Sequence, residues 1–196
     1  MISLFPFHTV ATFIAILYAL VIAAAILLFN VTGVATFATV FKGSTALSLI
    51  LFFFMAFEWR SIWARYPFLN RWVYPDLNGK WKVTIHWCWE NKTGTKEAVA
   101  YIRQNFIDIS IELISDESES ETLMVKAKQD SESKRPIIFY IYRNESKQGV
   151  SVPQPPHKGA AILKIDPTDM GRLEGNYFTD RATKGHYILE RIGEVL

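Results

Sequence analysis

Two apolar runs, a basic and aromatic collar, and then a change of period organise the chain. Val10 to Phe29 (VATFIAILYALVIAAAILLF) carries no charge, and as a helix it would be about 30 Å long, one hydrocarbon thickness. A second run, Val34 to Phe57, follows the turn signal NVTG at Asn30 to Gly33. A signal peptide would place basic residues ahead of the first run, and none precede Val10. The pattern predicts two transmembrane helices, over about residues 10–29 and 37–57, within an N-terminal unit of residues 1–57. Lys42, near the start of the second run, reads as an interface anchor. Ala11, Ala15, Ala19 and Ala23, with Gly43, Ser44 and Ser48, give the helices small faces for hairpin packing or for an oligomer.

Residues 58–75 interleave Arg60, Arg65 and Arg71 with Trp59, Trp63, Tyr66, Trp72 and Tyr74. Aromatics favour the headgroup zone and arginine beyond a span marks the cytoplasmic side. The expectation is a multi-pass membrane protein with its N-terminus and its C-terminal domain in the cytoplasm.

From Asp76 the period is two. In Lys80 to Glu90, Trp81, Val83, Ile85, Trp87 and Trp89 point one way while Lys82, Thr84, His86 and Cys88 point the other. Further strands read over Glu97 to Arg103, Asn105 to Ser115 (with Ile107, Ile109, Ile111 and Leu113 on one face) and Thr122 to Gln129 (with Leu123, Val125 and Ala127 on one face). Pro136 to Arg143, Gly159 to Ile165, Arg172 to Thr179 and Gly185 to Ile192 complete the set. DESESE, Asp116 to Glu121, reads as a solvated acidic turn, and Asn144 to Lys158 as the longest loop. The spacing suits an up-and-down sandwich or barrel, and the expectation for residues 76–196 is a roughly eight-stranded, lipocalin-like β-barrel, behind an α-helical membrane hairpin.

Composition narrows the function. Of 196 residues 50% are hydrophobic and 20% charged, which excludes a disordered chain. The net charge of +2 gives no reason to expect DNA or RNA as a partner. A single cysteine, Cys88, excludes an internal disulfide framework and any multi-cysteine zinc site. His86 and Cys88 share a strand face, but no third ligand accompanies them, so no metal is expected. There is no Gly-rich phosphate loop, HExxH or GxSxG, so the chain is not expected to be an enzyme and needs no cofactor.

Candidate binding residues lie on the strands. Trp81 and Trp87 are flat surfaces that fill a core or stack on bases. Gly175, Tyr177, Thr179 and Arg181 share a face, as do Tyr187, Leu189 and Arg191. A phenol, a hydroxyl and a guanidinium in line suit a phosphate or a base, and an inward arginine needs an anionic partner, whether protein carboxylate or ligand phosphate.

Two apolar helices, then LNGKW at Leu77 to Trp81, then LEGNYFTDRATKGHYILER at Leu173 to Arg191, resemble the CBASS antiphage effectors that are CD-NTase-associated proteins with two transmembrane helices and a β-rich sensor domain. Gly79, Trp81, Gly175, Tyr177, Thr179, Arg181 and Gly185 carry the likeness. The resemblance implies that a cyclic dinucleotide from a partner CD-NTase binds the barrel, and that homo-oligomers then form in the lipid bilayer of a bacterial inner membrane, disrupt it and kill the cell. Trp81, Trp87, Tyr177, Thr179, Arg181 and Arg191 are the residues expected to meet the ligand. Two other readings stand beside this one. A tethered lipocalin-like carrier of lipid or another small molecule would have an apolar interior throughout. A purely structural barrel would be solid.

Overall fold

A computed structural model describes residues 7–29, 34–53, 58–72, 74–105, 108–130, 132–133, 135–151, 153–166 and 168–194. Four helices precede the sheet: α1 (Phe7–Phe29), α2 (Val34–Phe53), α3 (Trp59–Arg65) and α4 (Phe68–Trp72). Among the described residues no helix is long and apolar enough to cross a membrane. The expected fold class of a spanning hairpin plus barrel, and with it the multi-pass inner-membrane placement, is therefore corrected to four helices and a closed eight-stranded barrel. Along α2, Lys42, Gly43, Ser44, Thr45 and Ser48 interrupt the apolar side chains. The predicted turn at residues 30–33 and the end of the second run at 54–57 lie outside the described residues.

The strands are β1 (Gly79–Trp89), β2 (Lys92–Gln104), β3 (Ile109–Ile114), β4 (Ser118–Gln129), β5 (Pro136–Ser146), β6 (His157–Ile165), β7 (Arg172–Thr179) and β8 (Lys184–Gly193). Each pairs antiparallel with the next, and β8 closes on β1. Closure leaves no unpaired edge. The alternation that defines each strand becomes an inside and an outside. Ala98, Ala100 and Ile102 of β2 and Gly159, Ala161, Leu163 and Ile165 of β6 are buried, while Arg103 and Lys158 project outward.

Acidic DESESE is not a free turn. Ser118 to Glu121 belongs to β4, because S-E-S-E itself alternates: Ser120 is buried and Glu119 and Glu121 are exposed. A register shift between Thr122 and Met124 then reverses the parity. Leu123 is exposed as a result, whereas Val125 packs on the core and Ala127 lies within it. Ile107 lies outside the described residues.

The barrel is solid at one end. Trp81, Val83, Ile102, Ile111, Ile138, Leu163, Leu173 and Leu189 fill it, together with Tyr74 and Leu77 from the segment ahead of β1. Gln104 fastens that segment: Leu77 N–H donates to its Oε1 at 2.8 Å and its Nε2 donates to Pro75 O at 3.2 Å. Asn78 exchanges bonds with the Gln104 backbone at 2.7 and 2.9 Å. The collar docks on the same end through Trp63 Nε1, which donates to Tyr74 O at 2.8 Å, and through Arg60, paired with Asp76 at 2.9 Å.

Candidate functional site

The other end of the barrel is hollow. A cavity of about 690 Å³ opens there, framed by the β1–β2, β3–β4 and β7–β8 turns and the long β5–β6 loop. That volume falls within the roughly 300–1,000 Å³ of small-molecule pockets.

Its floor is made of tyrosine. Tyr177 and Tyr187 stack at 4.3 Å between ring centroids, and Tyr140 and Tyr142 at 5.0 Å. The hydroxyls of Tyr142 and Tyr187 share a hydrogen bond of 3.0 Å. Tyr140 donates to Ile111 O at 2.9 Å and meets Ser120 Oγ at 3.2 Å. Burial holds all four phenols in the neutral form; it pushes the Tyr142 hydroxyl up to about 12 and raises the other three as well. They are donors and flat surfaces at any physiological pH.

Glycines keep the interior hollow. Gly94, Gly159 and Gly185 pair across strands with Trp87, Tyr142 and Tyr177. A Cβ on Gly94 would lie 2.6 Å from the Trp87 ring, one on Gly185 2.7 Å from Tyr177, and one on Gly159 would collide with Tyr142. The rings lie back on bare backbone instead of crossing the lumen. The motif glycines Gly185 and Gly175 also answer to the backbone, since a Cβ on Gly185 would strike the His86 carbonyl and one on Gly175 the Ile162 carbonyl.

The polar groups collect at the mouth. Arg181 sits in the β7–β8 turn, which is clamped to β6 by Lys158 N–H donating to Asp180 Oδ2 and Asp180 N–H donating to Lys158 O, both at 3.0 Å. Asp180 thus positions Arg181 rather than neutralising it. Arg181 Nη1 reaches Gln154 Oε1 at 3.5 Å, while its Nη2 is buried without a hydrogen-bond partner among the described residues. His157 Nδ1, also lining the cavity, is likewise buried and unpartnered. Burial, and then the Arg181 charge, lower the His157 pKa. The buried guanidinium nitrogen, unsatisfied at the mouth, forms a local demand for an anionic acceptor, and the neutral imidazole beside it can add a donor in the tautomer that protonates Nδ1.

Of the residues singled out in the sequence, Trp87, Tyr177, Thr179 and Arg181 line the cavity. Thr179 also braces the β7–β8 turn, donating from Oγ1 to Thr183 O at 3.3 Å. Trp81 and Arg191 are brought together elsewhere, at the sealed end. The guanidinium of Arg191 lies over the Trp81 ring at 4.9 Å and donates to Asp76 O. Trp81 Nε1 donates to Leu77 O at 3.1 Å. Trp81 is buried in the plug while Arg191, an exposed residue, lies over it; a strand that runs the full barrel carries inward residues past both halves.

Sequence reasoning missed His157, Lys96 and the inward serines Ser118 and Ser120, all of which line the cavity. Parity held the signal for two of them. Lys96 is two residues before inward Ala98, and His157 two before inward Gly159.

Two comparisons bear on this geometry. The chain is 26% identical over 136 residues to CD-NTase-associated protein 15 of Staphylococcus schleiferi, covering 69% of each. Residues 72–191, which contain all eight strands up to the last turn of β8, match the family described as Cap15, cyclic dinucleotide receptor domain. With residues 72–191, more than half of its length, matched by this family, the chain belongs to the Cap15 cyclic dinucleotide receptor domain family.

Proposed function

We propose that the chain is the receptor–effector of a CBASS-type antiphage system, and that a cyclic dinucleotide made by a partner CD-NTase enters the barrel through its open mouth. The observation that carries this reading is the pair of buried, unpartnered nitrogens on Arg181 and His157, at the rim of a cavity walled by flat aromatic rings. Phosphate supplies the acceptor that Arg181 lacks and can also accept from His157 in its Nδ1–H tautomer, and bases supply faces for Trp87, Tyr142 and Tyr177. The protein acts as a receptor and carries out no chemistry on its ligand.

Calorimetry of the chain against a panel of cyclic dinucleotides tests this. At least one should bind, and Arg181→Gln should weaken it by roughly tenfold or more. A panel that fails to bind, or an affinity indifferent to Arg181→Gln, overturns the reading. The carrier reading predicts the second result, since an apolar ligand has no use for a guanidinium.

The effector half of the proposal is self-association of occupied chains, with damage to a lipid bilayer as its outcome. Leu20, Leu27 and Leu28 of α1 and Leu49, Ile50 and Phe53 of α2 are all exposed, and an apolar surface of that kind favours association. Light scattering and dye release from vesicles, with and without ligand, read the two steps separately.

A further inference from the structure

We infer that Lys96 is a second anion subsite of the cavity and that Glu117 occupies it until a doubly charged ligand takes its place; this rests on the cyclic dinucleotide reading. Lys96 is on the inner wall: it pairs across strands with Ile85, in parity with Ala98 and Ala100. An inward lysine needs an anion. Here Glu117, from the β3–β4 turn, supplies it at 2.6 Å. The two partners are unequal. The Glu117 side chain is 68% exposed and that of Lys96 only 32%. The carboxylate leans in from solvent and returns there cheaply, because a partly exposed ion pair contributes little net stability. The ammonium stays.

Charge makes the exchange necessary. A ring dinucleotide brings two phosphates. Arg181 is unpaired by any carboxylate among the described residues, whereas Lys96 is neutralised. Lys96 and Arg181 are the lysine and arginine among the described residues that line the cavity, so release of Glu117 gives the second phosphate a cation. The placement fits as well. Trp87 pairs with Gly94 on β2 and Gly185 on β8, so it stands between the strand of Lys96 and the turn of Arg181. The mouth thus runs cation, indole, cation, as the ligand runs phosphate, base, phosphate. Glu117 is also joined to the loop that touches Arg181: its carbonyl accepts from Lys147 N–H at 2.9 Å, and Gln154 farther along that loop meets Arg181.

Titration calorimetry of the full chain with cyclic di-AMP, cyclic di-GMP and the mixed cyclic GMP–AMP, at two salt concentrations, tests this, with cyclic AMP as the one-phosphate control. Glu117→Gln should tighten the dinucleotide roughly five- to tenfold and cyclic AMP less than about twofold. Lys96→Gln should weaken the dinucleotide roughly tenfold and flatten its salt dependence, and the gain from Glu117→Gln should vanish in the Lys96→Gln background. If Arg181→Gln weakens binding while Lys96→Gln does not, the second subsite is wrong and the receptor reading stands. A gain from Glu117→Gln that persists without Lys96 also overturns the inference. If no dinucleotide binds the unmodified chain or Glu117→Gln, both fall.

Discussion

Glycine at three cross-strand positions decides whether this barrel is full or hollow. Trp87, Tyr142 and Tyr177 are large enough to meet across the lumen, and they lie against the wall because Gly94, Gly159 and Gly185 offer no Cβ. Gly94→Ala tests this at the site with the most room to give, since only the Trp87 side chain is in the way. The ring should swing inward, shifting tryptophan emission and weakening ligand roughly tenfold, at a stability cost of about 1–3 kcal/mol for overpacking. An unshifted spectrum with full affinity would refute the seating role. Such residue-level logic was partly legible in advance. The shared face of Tyr177, Thr179 and Arg181 follows from spacing alone, and all three line the cavity. Spacing gives no depth, however, so Trp81 and Arg191 carried the same signal as Trp87 and Arg181 while lying at the sealed end, Trp81 buried and Arg191 exposed over it.

Among the elements, the β3–β4 seam is built differently from the rest. Only two residue pairs, Leu113 with Ser120 and Ile114 with Glu119, keep regular register there. Beyond them the Thr122 side chain replaces the backbone ladder: its Oγ1 accepts from Ile111 N–H and donates to Ile111 O, both at 2.8 Å. Thr122→Val keeps the shape and removes both bonds. It should cost about 1–3 kcal/mol in denaturant unfolding and speed amide exchange in β3 selectively. Uniform exchange across all strands would show that the seam has no special dependence on Thr122. Period-two patterning revealed β1 almost whole, because tryptophan and lysine alternate there without interruption. It failed at β4, where serine and glutamate alternate without an apolar face and a bulge changes parity at Leu123. It also overreached at α1 and α2, where long apolar runs are not helices able to cross a membrane among the described residues.

For the molecule as a whole, the cavity and the docking of the segment ahead of β1 lie at opposite ends of the barrel. Gln104, 7% exposed, is the junction at the sealed end, with bonds to Pro75, Leu77 and Asn78. Gln104→Ala should therefore destabilise the chain by about 2–3 kcal/mol, by orphaning buried groups, while leaving cyclic dinucleotide affinity within about twofold. Loss of affinity out of proportion to stability would show that the two ends are coupled even without an effector step.

The chain enters the barrel at Gly79 and leaves it at Gly193, and these meet at the same pole, where β1 pairs with β8. Every covalent connection of the barrel is thus made on the side away from the solute's entrance. The receptor is in this sense a cartridge: whatever is spliced to its base, whether a reporter, a surface tether or an unrelated output module, can be exchanged without obstructing the port.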